Sequence, residues 1–290
     1  MPLGAIGLLF GSAILHTTWN LLLKQAGEKY MATWWGMLIG SLLFLPALFL
    51  IGLPARSTWL LLVISAFVEA AYFMVLSYAY DDADFSLVYP IGRGTAPALI
   101  AVWSVLFLEE SLTPGGIAGQ VVIIAGLIIV GGSNWFQADG QRQPGGLLRS
   151  IRSLWPALLL ALTISIYSVI DGAAVKHTGP LSYAALIYFV SSVYMTPFVL
   201  RRHGWQKLKE EFAAYHSRLT IIGVLIVVAY LMALWAYRLS SVSYSGAIRE
   251  VSVVIGAIAG WQFLGEKFGP VRVIGSVVIF VGILVIAVLG

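Results

Sequence analysis

Apolar stretches of about twenty residues recur along this chain with short polar breaks between them, and this pattern limits what it can fold into. A helix rises about 1.5 Å per residue, so ~20 apolar residues span the ~30 Å hydrocarbon core of a bilayer. Ten stretches meet that length: 3–23, 30–51, 59–80, 86–107, 115–132, 155–175, 182–200, 219–239, 243–263 and 271–289. Strands are disfavoured, because an open sheet edge in lipid leaves backbone groups unpaired. The stretches also lack the alternation of a barrel strand. The expected fold is an all-α integral membrane protein of ten transmembrane helices.

Composition excludes the soluble alternative. The chain of 290 residues is 60% hydrophobic and only 10% charged, with a mean hydropathy of +0.92. A soluble domain carries roughly 25% charged residues, so solvated groups cannot cover this surface and lipid must. The net charge of +4 is spread over loops and forms no nucleic-acid patch. Cysteine is absent, which removes disulfides, thiolate metal sites and cysteine nucleophiles. No basic segment precedes the first apolar stretch, and Lys24 follows it; it reads as a first membrane helix, not a signal peptide.

The clearest linker is 137–149, rich in Gly, Pro and polar residues, and the stretch 200–219 is the other polar region. The first divides the chain into a five-helix unit at 1–134, a linker at 135–153 and a second five-helix unit at 154–290. The two units echo each other. At one constant offset Glu110 falls on Glu266, Pro114 on Pro270, Gly119 on Gly275, Gly126 on Gly282 and Arg93 on Arg249. Shared Val and Ile count for little between membrane helices, but this Glu, Pro, Gly and Arg series is informative. Ser12, His16 and Asn20 in the first helix likewise meet Thr163, Tyr167 and Asp171 in the sixth. A repeat with an odd number of helices enters the membrane in the opposite sense the second time. Two inverted halves around a midplane site are a transporter architecture.

The segment Leu264-Gly265-Glu266 to Pro270 with its Gly-rich Val/Ile helix, and its echo at Leu108-Glu109-Glu110 to Pro114, resemble the EamA-type repeats of the drug/metabolite transporter superfamily. The opening helix, ending Trp19-Asn20 and Lys24, is similar to the start of such repeats. The resemblance covers nearly the whole chain. It implies a ten-helix transporter fold, leaves amino acids, amines, nucleotide sugars and other metabolites open as substrates, and supplies no catalytic residues. It also implies cytoplasmic termini. The loops opposite the termini hold most Lys and Arg, against Arg56, Lys176 and Arg238 on the termini side, so the positive-inside rule favours external termini.

An ionisable side chain within a membrane helix costs ~2.5–3.5 kcal/mol or more and needs a partner or an aqueous cavity. Here these are His16, Glu69, Arg93, Asp171, Arg249 and Glu250. His16 and Asn20 share a helix face with Ser12, and Tyr167 and Asp171 share one with Thr163, as a substrate or proton site or as interhelical hydrogen bonds. Glu69 has no counterpart in the second unit, which suits a specific site better than a scaffold. Arg93 and Arg249 can pair with carboxylates or bind an anionic group. Glu250 adjoins Arg249 in sequence but points ~100° away from it on a helix. Trp19, Tyr72, Tyr89 and Tyr167 are candidate rings for caging an ammonium, although aromatics also gather at membrane interfaces. Gly119, Gly126, Gly275 and Gly282 read as close helix packing.

These residues favour a secondary transporter of a small polar metabolite, an amine, quaternary amine or amino-acid-like solute, in a bacterial cytoplasmic membrane. Proton exchange through Glu69, Asp171 or His16 is compatible with it. An anion or nucleotide-sugar carrier using Arg93 and Arg249 is the alternative, and an intramembrane lipid-modifying enzyme is disfavoured. His residues are scattered, and no His-Glu-x-x-His, Gly-x-Ser-x-Gly or Walker pattern occurs. The expected partners are the small-molecule substrate, protons and lipid, with no nucleic acid, cofactor or metal. Monomer and homodimer both stay open.

Overall fold

The computed structural model describes residues 1–81, 85–137, 147–264 and 270–290, with side chains described outside 79–91, 94, 130–154, 257, 260, 261, 263–269 and 272. Among the described residues every regular element is helical. They are α1 (Leu3–Lys24), α2 (Lys29–Phe44), α3 (Leu48–Ile51), α4 (Trp59–Asp81), α5 (Phe85–Leu108), α6 (Pro114–Gln137), α7 (Leu147–Val175), α8 (Pro180–Leu239), α9 (Val242–Arg249), α10 (Val251–Leu264) and α11 (Pro270–Leu289). Helices satisfy their own backbone hydrogen bonds, which a chain with so few polar side chains requires in lipid.

Five described stretches are long and apolar enough to cross a bilayer: Leu3–Lys24, Lys29–Ile51, Arg56–Tyr78, Trp155–Val175 and Pro180–Leu239. Three shorter apolar helices accompany them, at Thr95–Leu108, Pro114–Ile129 and Val273–Leu289. Apolar side chains also cover the outside. Ile274, Val277, Leu284 and Val288 all face outward from α11. In water so large an apolar face would be a liability; against acyl chains it is the expected coat.

The structure refines three of the expected elements. The second apolar stretch is interrupted by a 3-10 turn at Leu45–Ala47 that contains Pro46, and α3 then ends at Gly52, whose φ of 82° is open to glycine at little cost. The polar stretch at 200–219 is largely helical rather than a loop. It merges two long limbs into the 60 residues of α8, with non-helical backbone at Gly204 (φ 77°) and Tyr215. Buried Leu208 anchors this bridge, and its carbonyl accepts a hydrogen bond from Trp35 Nε1 at 2.9 Å. The ninth stretch is not continuous either: it breaks at Glu250 into α9 and α10.

The helices pack as follows. α6 lies along α11, and α2 along α8. α1 touches α8, α9 and α10, while α7 touches α4 and α5. The α6–α11 crossing is built on the glycines singled out from the sequence. A Cβ on Gly282 would stand 2.8 Å from the Gly119 carbonyl oxygen, and one on Gly126 would stand 2.9 Å from that of Gly275. Backbones can approach this closely only where both sides lack a side chain.

Glu110, the second acidic residue of the Leu108-Glu109-Glu110 segment, reaches the start of α9. Its carboxylate accepts from the Val242 N–H at 2.6 Å, from the Ser243 N–H at 3.2 Å and from Ser243 Oγ at 2.7 Å. It thereby satisfies orphan donors at a helix N-terminus, where negative charge is favoured.

Candidate functional site

Side chains from α1, α4, α7, α8 and α9 line a small, partly open cavity. Helical spacing determines which of them reach it. Ser12, His16 and Trp19 line it from α1, and Glu69, Tyr72 and Phe73 from α4. Ile226, Ala229 and Tyr230 line it from the second limb of α8. In each set every residue lies three or four positions from another member, one stripe per helix. Tyr167 of α7, Tyr188 from the first limb of α8 and Arg249 from the end of α9 complete the wall.

Five rings form a closed belt around this space. Phe73 meets Tyr72 at 5.0 Å between centroids, Tyr72 meets Tyr167 at 5.6 Å, and Tyr167 meets Tyr230 at 6.1 Å. Tyr230 meets Tyr188 at 5.5 Å, and Tyr188 returns to Phe73 at 6.2 Å. All five contacts are edge-on, the arrangement that the ring quadrupoles favour. Trp19 adds a sixth ring 6.1 Å from Phe73, and His16 packs edge-on against Trp19 at 4.9 Å.

An acidic and a basic side chain, Glu69 and Arg249, line the same cavity without forming an ion pair with each other. The Glu69 carboxyl group is buried, and among the described residues its one hydrogen-bond neighbour is Ser191 Oγ at 3.5 Å. That hydroxyl lies closer to the carbonyls of Ile187, at 2.8 Å, and Ala66, at 3.0 Å, so its single proton is engaged there. Arg249 donates from Nη1 to Tyr237 Oη at 3.2 Å, and its guanidinium carbon lies 5.7 Å from the centroid of the Tyr230 ring. A tyrosine face attracts a cation and holds the guanidinium in place without cancelling its charge. Among the described residues neither Glu69 nor Arg249 has an ion-pair partner within 4.0 Å. His16 Nε2 is likewise buried with no hydrogen-bond partner.

Four other residues singled out from the sequence, Asn20, Arg93, Asp171 and Glu250, do not line this cavity. Arg93 is not on the cavity: its Nε lies 3.1 Å from Glu250 Oε2, and its Nη2 donates to Ser252 Oγ at 2.8 Å. Glu250, the residue at which α9 ends, is thus the partner of Arg93 on α5 and not of its neighbour Arg249. Thr17 Oγ1 donates to the Ser252 carbonyl at 3.1 Å, which ties α1 to the same break. Asn20 turns back to its own helix and donates to the His16 carbonyl at 2.8 Å. Asp171 is fully buried and accepts hydrogen bonds from Tyr183 Oη at 2.6 Å and from Tyr230 Oη. The side chain of Tyr89 lies outside the described residues.

Phe73, Tyr188, Ile226, Ala229 and Tyr230 were not among the expected site residues. Phe73, one helical turn from Glu69, was findable by spacing. Tyr188 carries no such signal, because an isolated tyrosine in an apolar helix looks the same in any core.

The profile of the EamA-like transporter family matches this chain twice, at residues 3–132 and 152–288. The chain belongs to that family. It is an EamA-type membrane transporter of the drug/metabolite transporter superfamily and not an enzyme. Among solved structures, 29 chains match. One of them is a crystal structure at 16% identity and a TM-score of 0.76, covering 98% of this chain and 96% of that one, and at this identity it supports the fold alone. No curated protein matches the chain.

Proposed function

We propose that this EamA-type transporter is a secondary carrier that moves a small zwitterionic amine compound, an amino acid or an N-methylated relative, through the central cavity by alternating access. The observation that carries this reading is an acidic and a basic side chain, Glu69 and Arg249, lining one aromatic-belted cavity with no ion pair to either among the described residues. A zwitterion satisfies both. Its ammonium is drawn to Glu69 and the ring faces, and its carboxylate to the Arg249 guanidinium. A bare amine leaves Arg249 beside a second positive charge, and a bare anion leaves Glu69 beside a second negative one.

The carrier operates as ten membrane spans in two inverted repeats, 1–134 and 154–290, joined by a linker at 135–153, in a bacterial cytoplasmic membrane. The two separate profile matches support this arrangement. So does the packing, in which α1 against α8, α9 and α10 is mirrored by α7 against α4 and α5. The break at Glu250 gives a discontinuous helix beside the cavity, as in other carriers built from inverted repeats. The anion reading is weaker, because Arg93 is committed to Glu250 and leaves Arg249 as the sole arginine on the cavity among the described residues.

The test is a thermal-shift screen of the purified protein in detergent, followed by counterflow in proteoliposomes. L-leucine, glycine betaine, isoamylamine and isovalerate sample zwitterion, methylated zwitterion, amine and acid. Stabilisation by a zwitterion that exceeds both single-charge compounds and is lost at least tenfold in affinity in both Glu69→Gln and Arg249→Met is expected. An acid that stabilises Glu69→Gln as well as the parent protein would overturn the reading.

A further inference from the structure

One buried acidic group has no place in that binding scheme. Asp171 sits on α7 behind the aromatic belt with none of its surface exposed. Both of its oxygens are engaged, Oδ1 by Tyr183 and Oδ2 by Tyr230, and both donors come from α8. Among the described residues no arginine, lysine or histidine lies within ion-pair distance of it. A carboxylate in the interior of a membrane protein without a cation is a costly feature that packing alone does not need. Tyr230 is the link: its hydroxyl bonds Asp171 while the same residue lines the cavity.

We infer that Asp171 is the proton-binding site of the carrier, and that Tyr230 reports its state to the cavity. This rests on the carrier reading above and adds the coupling step to it. Proton uptake is a relay. Tyr230 oxygen receives a proton from a hydronium ion in the cavity, which leaves as water, and its own hydroxyl proton passes to Asp171 Oδ2. The tyrosine is neutral before and after, and Asp171 goes from carboxylate to carboxylic acid. The two states present different faces to the substrate. With Asp171 ionised, Tyr230 donates to it and turns oxygen lone pairs towards the cavity, which suits an ammonium N–H. With Asp171 protonated, its O–H donates to Tyr230, and the tyrosine proton turns to the cavity, where it opposes an ammonium. Charge acts in the same sense, since losing the negative charge at Asp171 weakens the pull on a cation. Proton and ammonium therefore exclude one another, and the cycle is an exchange.

Ionisable and hydroxyl groups surround Asp171 on several elements, and Glu69 is the other buried carboxyl among them. α4 contributes Ser65 and Glu69, α8 contributes Tyr183 and Tyr230, and α9 contributes Arg249, which acts on Asp171 through space at more than ion-pair distance. Tyr188, also on α8, lies close enough to act on Asp171 through space. α5 also packs on α7, and its described arginine, Arg93, is held by Glu250.

Infrared pH-difference spectroscopy of the reconstituted full chain reads protons alone, so it does not depend on knowing the substrate. A carboxylic-acid C=O band that appears on acidification and is missing from Asp171→Asn is expected, with its frequency shifted in Tyr230→Phe. In proteoliposomes, Asp171→Asn is fixed in the uncharged state, so it is expected to bind the zwitterion found in the screen more weakly and independently of pH, while accumulation driven by an opposing pH gradient falls to the no-gradient level. A band that persists in Asp171→Asn, or one that disappears instead in Glu69→Gln, overturns the assignment. So does unimpaired gradient-driven accumulation by Asp171→Asn. Absence of any counterflow in the parent protein would sink the carrier reading, and the infrared band would still decide whether Asp171 binds the proton.

Discussion

Removing the charge of Glu250 without changing its shape, as Glu250→Gln does, tests whether the break between α9 and α10 is held by an ion pair. Arg93 is 1% exposed and Glu250 is 2% exposed. Two unit charges at the observed 3.1 Å attract by about 5 kcal/mol at an effective dielectric constant of ~20. Ser252 Oγ still accepts one guanidinium N–H at 2.8 Å in the variant, so part of the solvation of Arg93 survives. Breaking a buried pair from one side costs about 3–5 kcal/mol, because the surviving charge stays buried. The lower end, about 3 kcal/mol, is the expectation here.

The double replacement Arg93→Met with Glu250→Met separates this cause from lost packing. Two apolar chains of similar length leave no buried charge, and such exchanges are often neutral or stabilising by about 1–4 kcal/mol. The double variant is therefore expected to be more stable than Glu250→Gln alone. Unfolding in mixed micelles by titration with sodium dodecyl sulfate, followed by intrinsic fluorescence from the 10 tryptophans, gives the comparison. A Glu250→Gln variant within about 1 kcal/mol of the parent would refute the assigned weight of the pair. A double variant no more stable than the single one would show that the guanidinium itself, not its uncompensated charge, supports the break.

Two further outcomes follow from the backbone. Glu109 is exposed and sits at φ 54°, a left-handed conformation that costs a side-chain-bearing residue about 1–2 kcal/mol, so Glu109→Gly is expected to raise stability by about 0.5–1 kcal/mol in the same titration. Gly282→Val places a Cβ 2.8 Å from both the Gly119 carbonyl oxygen and the Ile123 nitrogen, so α6 and α11 must move apart. A loss of about 1–3 kcal/mol is expected, while the equally apolar Val288→Ala on the exposed face of α11 leaves stability nearly unchanged.

What could be read from the sequence follows from how local each signal is. The apolar stretches were legible because lipid enforces the same length on every crossing. The Gly119–Gly282 contact was legible because a repeated glycine in an apolar helix has few other uses. The Glu109 strain has a sequence trace too: at the equivalent place the second unit has Gly265. The break at Glu250 was hidden, because Arg249-Glu250-Val251 contains no proline or glycine, and the ion pair that accompanies it comes from a distant helix.

The polar stripes show the limit of spacing arguments. Residues four apart advance about 40° around a helix, so eight residues drift by about 80°. Ser12 and His16 therefore reach the cavity, whereas Asn20 has rotated back to its own helix. In the matching stripe Tyr167 faces the cavity, while Thr163 bonds the carbonyls of its own helix and Asp171 turns to Tyr183 and Tyr230. The two arginines make the same point with charge. The repeat renders Arg93 and Arg249 equivalent, yet the residue after Arg93 is Gly94 and the residue after Arg249 is Glu250. One carboxylate, placed in only one unit, neutralises the arginine of the other and leaves Arg249 facing Glu69 across the cavity. An exactly duplicated sequence would hold either two paired arginines or two unpaired ones, so a single departure from the repeat gives this cavity one carboxylate and one guanidinium.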